Sequence, residues 1–198
     1  MTATLTYDAI AQAEREKYLA VWQIPAYREK CHGLDLWRNH RDLFPEAPAT
    51  ALDIGCGLGL LYRHLLGEGI DAWGVDFAPN CLDPFVRRVL GYRFIEACLW
   101  DLDLGRHFDL GICADVMEHI PEQKVPQTLA RVGNHCEEII FKIANYPSDS
   151  LGHRLHVTRR DSAWWELLIR SQGGNVELLS VPSLDAREVY YYRWRPEG

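Results

Sequence analysis

A glycine-rich segment that carries a carboxylate is the part of this sequence best suited to chemistry. Residues 51–60 read ALDIGCGLGL, an apolar run followed by Gly55, Gly57 and Gly59. Glycines at such a turn let backbone N–H groups approach a ligand closely, because no side chain stands in the way. The carboxylate of Asp53 would repel a phosphate and attract a cation. The segment therefore indicates a nucleotide-like ligand with a positively charged end.

The elements around this segment form a repeating strand–helix unit. We predict a strand over 51–54, a helix over about 58–66 and a second strand over 70–75 that leads to Asp76. A carboxylate at the end of the second strand of such a unit, about 20 residues past the glycines, binds ribose hydroxyls. Asp76 is predicted to do so, with a loop acid or helix cap as the alternative.

The rest of the chain continues the alternation of strands and helices. Helices are predicted from Pro79, over about 125–132 and after Asp161. The remaining predicted strands are 93–98, 108–113, 138–144, 176–181 and 188–194. This alternation predicts a parallel sheet, and the helix-free link between the last two strands predicts an antiparallel pair at the end.

The bulk properties narrow the class of protein. A chain of 198 residues fits one domain, 1–198, with an N-terminal helical extension over 1–45 and a core over 50–198. The net charge of −7 argues against a nucleic-acid partner or an anionic membrane surface. The six cysteines form no C-x-x-C pair, so no metal site and no disulfide framework are predicted. We expect a cytoplasmic monomer or homodimer without a membrane anchor.

The N-terminal extension is rich in aromatic residues and arginine. An amphipathic helix that ends before Pro25 is predicted, with Tyr18 and Trp22 on it and Tyr27 and Arg28 beyond it. One interpretation is that the extension packs as a helix on the sheet edge. The other is that it covers the site as a lid, excludes water and supplies these four residues to the acceptor.

Three motifs, at residues 52–59, 74–78 and 108–121, resemble those of class I S-adenosylmethionine-dependent methyltransferases. The resemblance implies a Rossmann-like, doubly wound α/β fold. Its sheet has seven mostly parallel strands in the order 3-2-1-4-5-7-6, with strand 7 antiparallel. The implied cofactor is S-adenosylmethionine, leaving as S-adenosylhomocysteine, at the carboxyl ends of the strands. The implied cofactor-binding residues are Asp53, Gly55, Cys56, Gly57, Asp76, Phe77, Ala114, Asp115 and Val116.

The chain departs from the family pattern after strand three. Many relatives place an aspartate there that accepts from the adenine amino group, whereas this position falls on Cys98. The backbone of Leu99 and stacking by Trp100 are the expected replacements. The carboxylate of Asp101 lies three residues too late.

Methyl transfer needs an aligned nucleophile and, for a hydroxyl or an acidic N–H, a general base. The candidate bases are His119 and His156, with a purely structural role as the alternative. Residues 142–160 contain four Lys or Arg and one Asp, a local charge of +3. We therefore expect an anionic acceptor group near His153, Arg154 and Trp164, the alternative being a solvated loop.

Other functions are compatible with the same motifs. The favoured hypothesis is a methyltransferase acting on a small-molecule acceptor. A tRNA or DNA methyltransferase is the second, although the chain is acidic and lacks the N/D-P-P-Y/F run used on base amines. A non-catalytic protein that binds the cofactor is the third. A nicotinamide dehydrogenase fits least, because its loop would read G-x-G-x-x-G.

Overall fold

The computed structural model describes residues 8–29, 31–179 and 189–197. Its main sheet has seven strands in the predicted order, 3-2-1-4-5-7-6. The strands are β1 Thr50–Ile54, β2 Asp71–Asp76, β3 Phe94–Glu96, β4 Phe108–Ala114, β5 Cys136–Ala144, β6 Asn175–Leu178 and β7 Val189–Arg195. Strand β7 pairs antiparallel with both β5 and β6, and the other neighbouring pairs are parallel. The predicted Rossmann-like α/β fold is confirmed.

The register of the parallel strands brings their carboxyl ends to one edge. Ile54 of β1 is opposite Val75 of β2 and Cys113 of β4. The next residues along these strands, Gly55, Asp76 and Ala114, are therefore neighbours at that edge. A crevice at the carboxyl ends is where open α/β sheets bind their ligands.

Six α-helices accompany the sheet in the described residues: α1 Ala9–Val21, α2 His32–His40, α3 Leu60–Gly67, α4 Pro84–Leu90, α5 Val125–Gly133 and α6 Ser162–Arg170. Strand β5 has apolar side chains on both faces of the sheet, so both faces must be covered by other elements. Its Ile139 and Phe141 pack with one cluster and Ile140 with the other, as expected for alternating side chains. Strand β5 is therefore buried on both faces.

Helix α4 begins later than predicted. The prediction of a start near Pro79 is wrong, because the Asp83 side chain accepts from the N–H groups of Phe85 and Val86 and so caps a helix that starts at Pro84. Phe85 and Val89 are each 46% exposed. The apolar residues of α4 are therefore only partly buried.

Strand β3 is shorter than predicted, since it ends at Glu96 and Cys98 opens a 3₁₀ turn, Leu99–Asp101. Parts of the two last predicted strands, 180–181 and 188, lie outside the described residues. No helix among the described residues is long and apolar enough to cross a membrane.

The two α-helices of the N-terminal extension pack at different places on the sheet. Helix α2 buries Leu36 and Trp37 in the cluster on one face of the sheet. Helix α1 lies at the carboxyl edge of the strands, where Tyr18 and Val21 form a small cluster with Ala78 and Leu155. The extension is therefore partly core and partly a cover over the crevice.

Candidate active site

Two adjoining cavities lie at the carboxyl ends of β1, β2 and β4. The first holds about 630 Å³ and the second about 1130 Å³ when the space open to solvent is included. Trp22, Tyr27, Gly55, Asp115 and His119 line both cavities. These shared residues mark the junction between the two.

Asp76 lines the first cavity from the end of β2. Its Oδ2 accepts from the Gly57 N–H at 3.1 Å and its Oδ1 from the Ala78 N–H at 3.0 Å. Burial raises the pKa of Asp76 to about 6, against the lowering effect of these hydrogen bonds. A carboxylate has about four lone-pair sites, so acceptor capacity remains for two ribose hydroxyls.

The apolar wall of the first cavity includes Phe77, Cys98, Leu99 and Trp100. All four were predicted from the sequence, and the structure brings them together with Asp76. Burial raises the pKa of the Cys98 thiol to about 12, so the thiol stays protonated. A neutral thiol is a weak hydrogen-bond acceptor. This wall therefore suits a flat ring but offers little to an amino group.

The glycine turn brings the loops after β1 and β4 into contact. Gly55 has φ +67°, and a Cβ atom there would lie 2.4 Å from Cγ2 of Val116. Only glycine fits this conformation and this contact. Gly57 and Cys56 line the second cavity together with Asp53. The predicted cofactor loop thus forms one wall of the second cavity.

Asp53 is buried beneath this turn. Its Oδ2 accepts from the Tyr62 N–H at 3.3 Å. Burial, and secondarily the nearby Asp76, raises the pKa of Asp53 to about 8. The group is therefore largely protonated near pH 7. A cationic ligand in the second cavity would favour the ionised form again.

Asp115 offers a carboxylate oxygen at the junction. Its φ of 54° is unusual for a residue other than glycine. Its Oδ2 is 2.9 Å from the Lys142 Nζ and 3.0 Å from the His32 Nε2. Its Oδ1 is buried and has no hydrogen-bond partner among the described residues. Such an orphaned acceptor fits the ammonium of an amino-acid ligand, and Ala114 lines the same place.

Two histidines lie near one another at the second cavity. The Tyr18 hydroxyl is 2.5 Å from Nδ1 of His119, and Nδ1 of His156 is 2.7 Å from the Tyr146 carbonyl oxygen. The two imidazole rings meet edge to face at 4.7 Å. Burial lowers the pKa of His119 to about 3 and lowers the pKa of His156 as well. Both are neutral near pH 7.

The aromatic residues of the extension cover the junction. The Tyr18 ring lies 5.7 Å from that of Phe77, and the Trp22 and Tyr27 rings meet edge to face at 4.9 Å. Arg28 lines neither cavity. Its guanidinium instead donates to the carbonyls of Trp22, Asn80 and Leu82 and ties the turn after α1 to the loop after β2.

The predicted acceptor residues of the later loop lie elsewhere. His153 and Arg154 are exposed in a short hairpin formed by Asp149–Ser150 and His153–Arg154. Trp164 packs edge to face against Trp165. None of these lines either cavity. Tyr146 and Ser148, which precede the hairpin, line the second cavity instead.

Sequence reasoning named neither Glu14 nor His32 nor Tyr146, which line the cavities. Glu14 had a usable signal, since it stands four residues before Tyr18 and so shares its helix face. His32, at the start of α2, and Tyr146, in the loop after β5, had none, because both reach the site only through the packing of distant segments.

Two groups of potential metal ligands occur among the described residues, although the sequence predicts no metal site. They are Cys56, Asp76 and Cys81, and Glu118, His119 and His156. Several of these side chains already hydrogen-bond within the protein: Asp76 to two backbone N–H groups, His156 to Tyr146, and Glu118 to the N–H of Ala144.

Residues 51–138 match a family model described as a methyltransferase domain. A ubiquinone biosynthesis O-methyltransferase of Nitrosomonas europaea is 26% identical over 103 residues, which are 48% of this chain and 44% of that protein. The counterpart in Methylococcus capsulatus is 34% identical over 83 residues, 38% of this chain and 35% of that protein. The chain thus spans less than half the length of these relatives.

Solved structures share the fold over the whole chain. The Burkholderia thailandensis 1,6-didemethyltoxoflavin-N1-methyltransferase, solved with that compound and S-adenosylhomocysteine, has a TM-score of 0.72 at 20% identity. The match covers 100% of this chain and 94% of that one. The magnesium protoporphyrin IX methyltransferase of Synechocystis, with bound S-adenosylmethionine, has a TM-score of 0.61 at 15% identity, covering 98% and 90%.

The segment that matches the methyltransferase-domain model contains all three motifs, and the fold of the chain is shared with S-adenosylmethionine-dependent methyltransferases of known structure. The resemblance drawn from residues 52–59, 74–78 and 108–121 is confirmed.

Proposed function

We propose that this protein transfers a methyl group from S-adenosylmethionine to a small molecule that carries an acidic O–H or N–H group. The observation that carries the proposal is the junction of the two cavities. Asp76 lines the first cavity, neutral His156 lines the second, and Asp115 and His119 line both. A cofactor that spans this junction would present its reactive group to the second cavity.

The chain has a group for each part of this cofactor. Asp76 would hold the ribose hydroxyls, Phe77 and Leu99 would pack on the adenine, and the orphaned Oδ1 of Asp115 would accept from the ammonium. The bound cofactor supplies an electrophilic methyl group on a sulfonium. The carboxylate of Asp115 at the junction would repel a phosphate, so the site is suited to a cofactor without phosphate.

His156 is better placed than His119 to act as the general base. Its Nδ1–H donates to the Tyr146 carbonyl, which leaves Nε2 as the basic nitrogen. His119 is engaged through Nδ1 with the Tyr18 hydroxyl and is also hydrogen-bonded to the backbone of Leu155. We assign His119 the role of holding the lid helix and the neighbouring ring in place.

The second cavity favours an acceptor that becomes anionic over one that enters with a fixed negative charge. Its walls include Trp22, Tyr27 and Tyr146, and no Lys or Arg of the described residues lines it. Arg160, one of the cationic residues of segment 142–160, pairs with Glu122 on the surface. We therefore infer a flat, ionisable acceptor, such as a catechol or an N–H heteroaromatic compound, whose proton is taken by His156.

The test is methyl transfer from labelled S-adenosylmethionine to a panel of catechols, hydroxybenzoates and N–H heteroaromatics. For any acceptor that turns over, His156→Gln should lower kcat by roughly 100-fold or more, as expected for the loss of a general base. S-adenosylhomocysteine affinity should stay unchanged. His153→Gln, an exposed histidine three residues away, is the matched control and should keep full activity.

The outcomes separate the parts of the proposal. Full activity of the His156→Gln variant would overturn the assignment of the base. If the wild-type protein failed to bind S-adenosylhomocysteine in calorimetry, the proposed cofactor would be wrong. Binding without transfer to any compound of the panel, or to a small-molecule extract, would favour the non-catalytic alternative.

A further inference from the structure

The cofactor site proposed above lacks a strong acceptor at the end of β3. The side chain at that position is the Cys98 thiol, which burial keeps protonated by raising its pKa. The carboxylate of Asp101 is exposed and accepts from Gln127 at 3.4 Å. Glu96, at the end of β3, is engaged with Arg15. Cys98 has no carboxylate, and neither Asp101 nor Glu96 lines the first cavity.

Glu14 brings a carboxylate to the same cavity from the lid helix α1. It lines the cavity together with Ala97, Cys98, Leu99 and Trp100. Its Oε2 is buried and has no hydrogen bond to the described residues, although it forms an ion pair with Lys17. One ammonium contact leaves acceptor capacity on a carboxylate.

The neighbouring residue fixes the position of Glu14. The Nε of Arg15 donates to the Phe77 carbonyl at 3.1 Å, and its Nη2 lies 2.5 Å from Oε1 of Glu96. The guanidinium thus joins α1 to the residues after β2 and at the end of β3. These contacts hold the backbone of the adjacent Glu14 beside the first cavity, which Phe77 and Glu14 both line.

The other carboxylates that line the first cavity have different surroundings. Asp76 accepts from two backbone N–H groups in the glycine loop and after β2. Asp115 pairs with Lys142 at the junction with the second cavity. Glu14 is therefore the one lining carboxylate, among the described residues, that comes from α1, and Ala11 of the same helix packs in one cluster with Cys98, Leu99 and Trp100.

We propose that Glu14 accepts a hydrogen bond from the 6-amino group of the purine and makes the site select adenine over hypoxanthine nucleosides. The inference deepens the proposed function, on which it rests. A 6-oxo purine presents an acceptor oxygen in place of the amino donor. This oxygen and the Glu14 carboxylate would repel each other, because neither can donate a hydrogen bond. Repulsion of this kind discriminates more sharply than a lost contact.

The experiment is calorimetry of the full chain with S-adenosylhomocysteine and with S-inosylhomocysteine. The wild-type protein should prefer the adenine compound by about tenfold or more, the range for one hydrogen bond to a charged group. Glu14→Gln should reduce this ratio to near one or invert it, because the amide can donate to the 6-oxo group. Glu16→Gln is the control, since Glu16 is exposed on the same helix and bonds to Gln12.

A ratio unchanged in Glu14→Gln and in Glu14→Ala, with both variants folded by circular dichroism, would overturn the role of Glu14. A lost preference in the Glu16→Gln control would also count against it, because the effect would then belong to the charge of the helix. Failure of the wild-type protein to bind either compound would instead remove the proposed function itself.

Discussion

Carboxyl groups at the crevice differ in how burial and hydrogen bonds set their charge. Asp76 has a pKa of about 6 and Asp53 one of about 8, both raised mainly by burial. Asp76 is held by two backbone N–H groups, whereas Asp53 is held by one. The charges of the two carboxyl groups therefore respond differently to pH and to a bound cation.

Asp76→Asn is expected to weaken S-adenosylhomocysteine binding by at least about tenfold, because two ribose hydroxyls lose a charged acceptor. In the wild-type protein the affinity should fall as the pH drops through about 6, since half of the Asp76 carboxyl groups of the free protein are protonated at that pH. Titration calorimetry between pH 5 and 8 measures both effects, with the exposed Asp101→Asn as control. Equal affinity of the Asn variant would contradict the assignment.

The Asp53→Asn variant tests how much the buried carboxyl group lowers the stability of the fold when it is ionised. The folded pKa of about 8 lies above the usual 3.8, so the stability that the neutral group contributes is present below about pH 4 and is lost as the pH rises to 8. The variant should therefore melt higher than the wild-type protein at pH 8, by roughly 2–4 °C for each kcal/mol recovered. At pH 4 the difference should vanish, as thermal melts in the two buffers would show.

At the scale of the elements, the lid helix α1 is held to the core by a few polar contacts. Arg28, after the helix, donates to the carbonyls of Trp22, Asn80 and Leu82. The Asn80 side chain donates in return to the Leu19 carbonyl at 2.8 Å. The Trp22 ring also packs on the glycine turn, because a Cβ on Gly57 would lie 2.9 Å from it. The position of the lid thus depends on the loop after β2.

Arg28→Ala is expected to loosen the lid while leaving the sheet intact. Three hydrogen bonds to carbonyl groups are lost, so the dissociation rate of S-adenosylhomocysteine should rise by about tenfold or more. Arg38→Ala, an exposed arginine on α2, is the matched control. Stopped-flow displacement gives the dissociation rates. Identical rates for both variants would show that the Arg28 hydrogen bonds have no part in retaining the cofactor.

At the scale of the whole molecule, a chain reversal at the end of the sheet sets the order of its last two strands. Strand β7 lies between β5 and β6, so the turn after α6 must bring β6 to the outside. Gly174 makes this turn with φ +84°, and a Cβ there would lie 2.0 Å from the carbonyl oxygen of Arg195. The Trp194 ring then packs against α5 at Gly133 and donates to the Gly173 carbonyl at 2.8 Å.

Gly174→Ala should lower the free energy of unfolding by about 2 kcal/mol or more, because it combines backbone strain with a clash against backbone. Gly67→Ala, at the end of α3 and facing open space, should leave it within about 0.5 kcal/mol. Urea unfolding followed by tryptophan fluorescence compares the two. A Gly174→Ala protein as stable as Gly67→Ala would contradict the role assigned to this turn.

The sequence by itself determined the alternation of strands and helices and the loops that bear the site, whereas the sheet order was implied by the family resemblance. Glycines and carboxylates that follow apolar runs are local signals, and the carboxyl ends of parallel strands must meet at one edge. Asp53, Asp76 and Asp115 could therefore be named from spacing and resemblance alone. The resemblance also marked the departure at Cys98.

The tertiary structure alone decided which side chains outside the three motifs face the crevice. His153 and Arg154 have suitable chemistry but point outward from a hairpin, whereas Tyr146 and His32 line the second cavity. Periodicity shows which face of a helix is apolar but not where an irregular loop folds back, because that is set by packing between segments far apart in the chain. The pKa values of His119 and Asp53 depend on burial, which only the assembled fold provides.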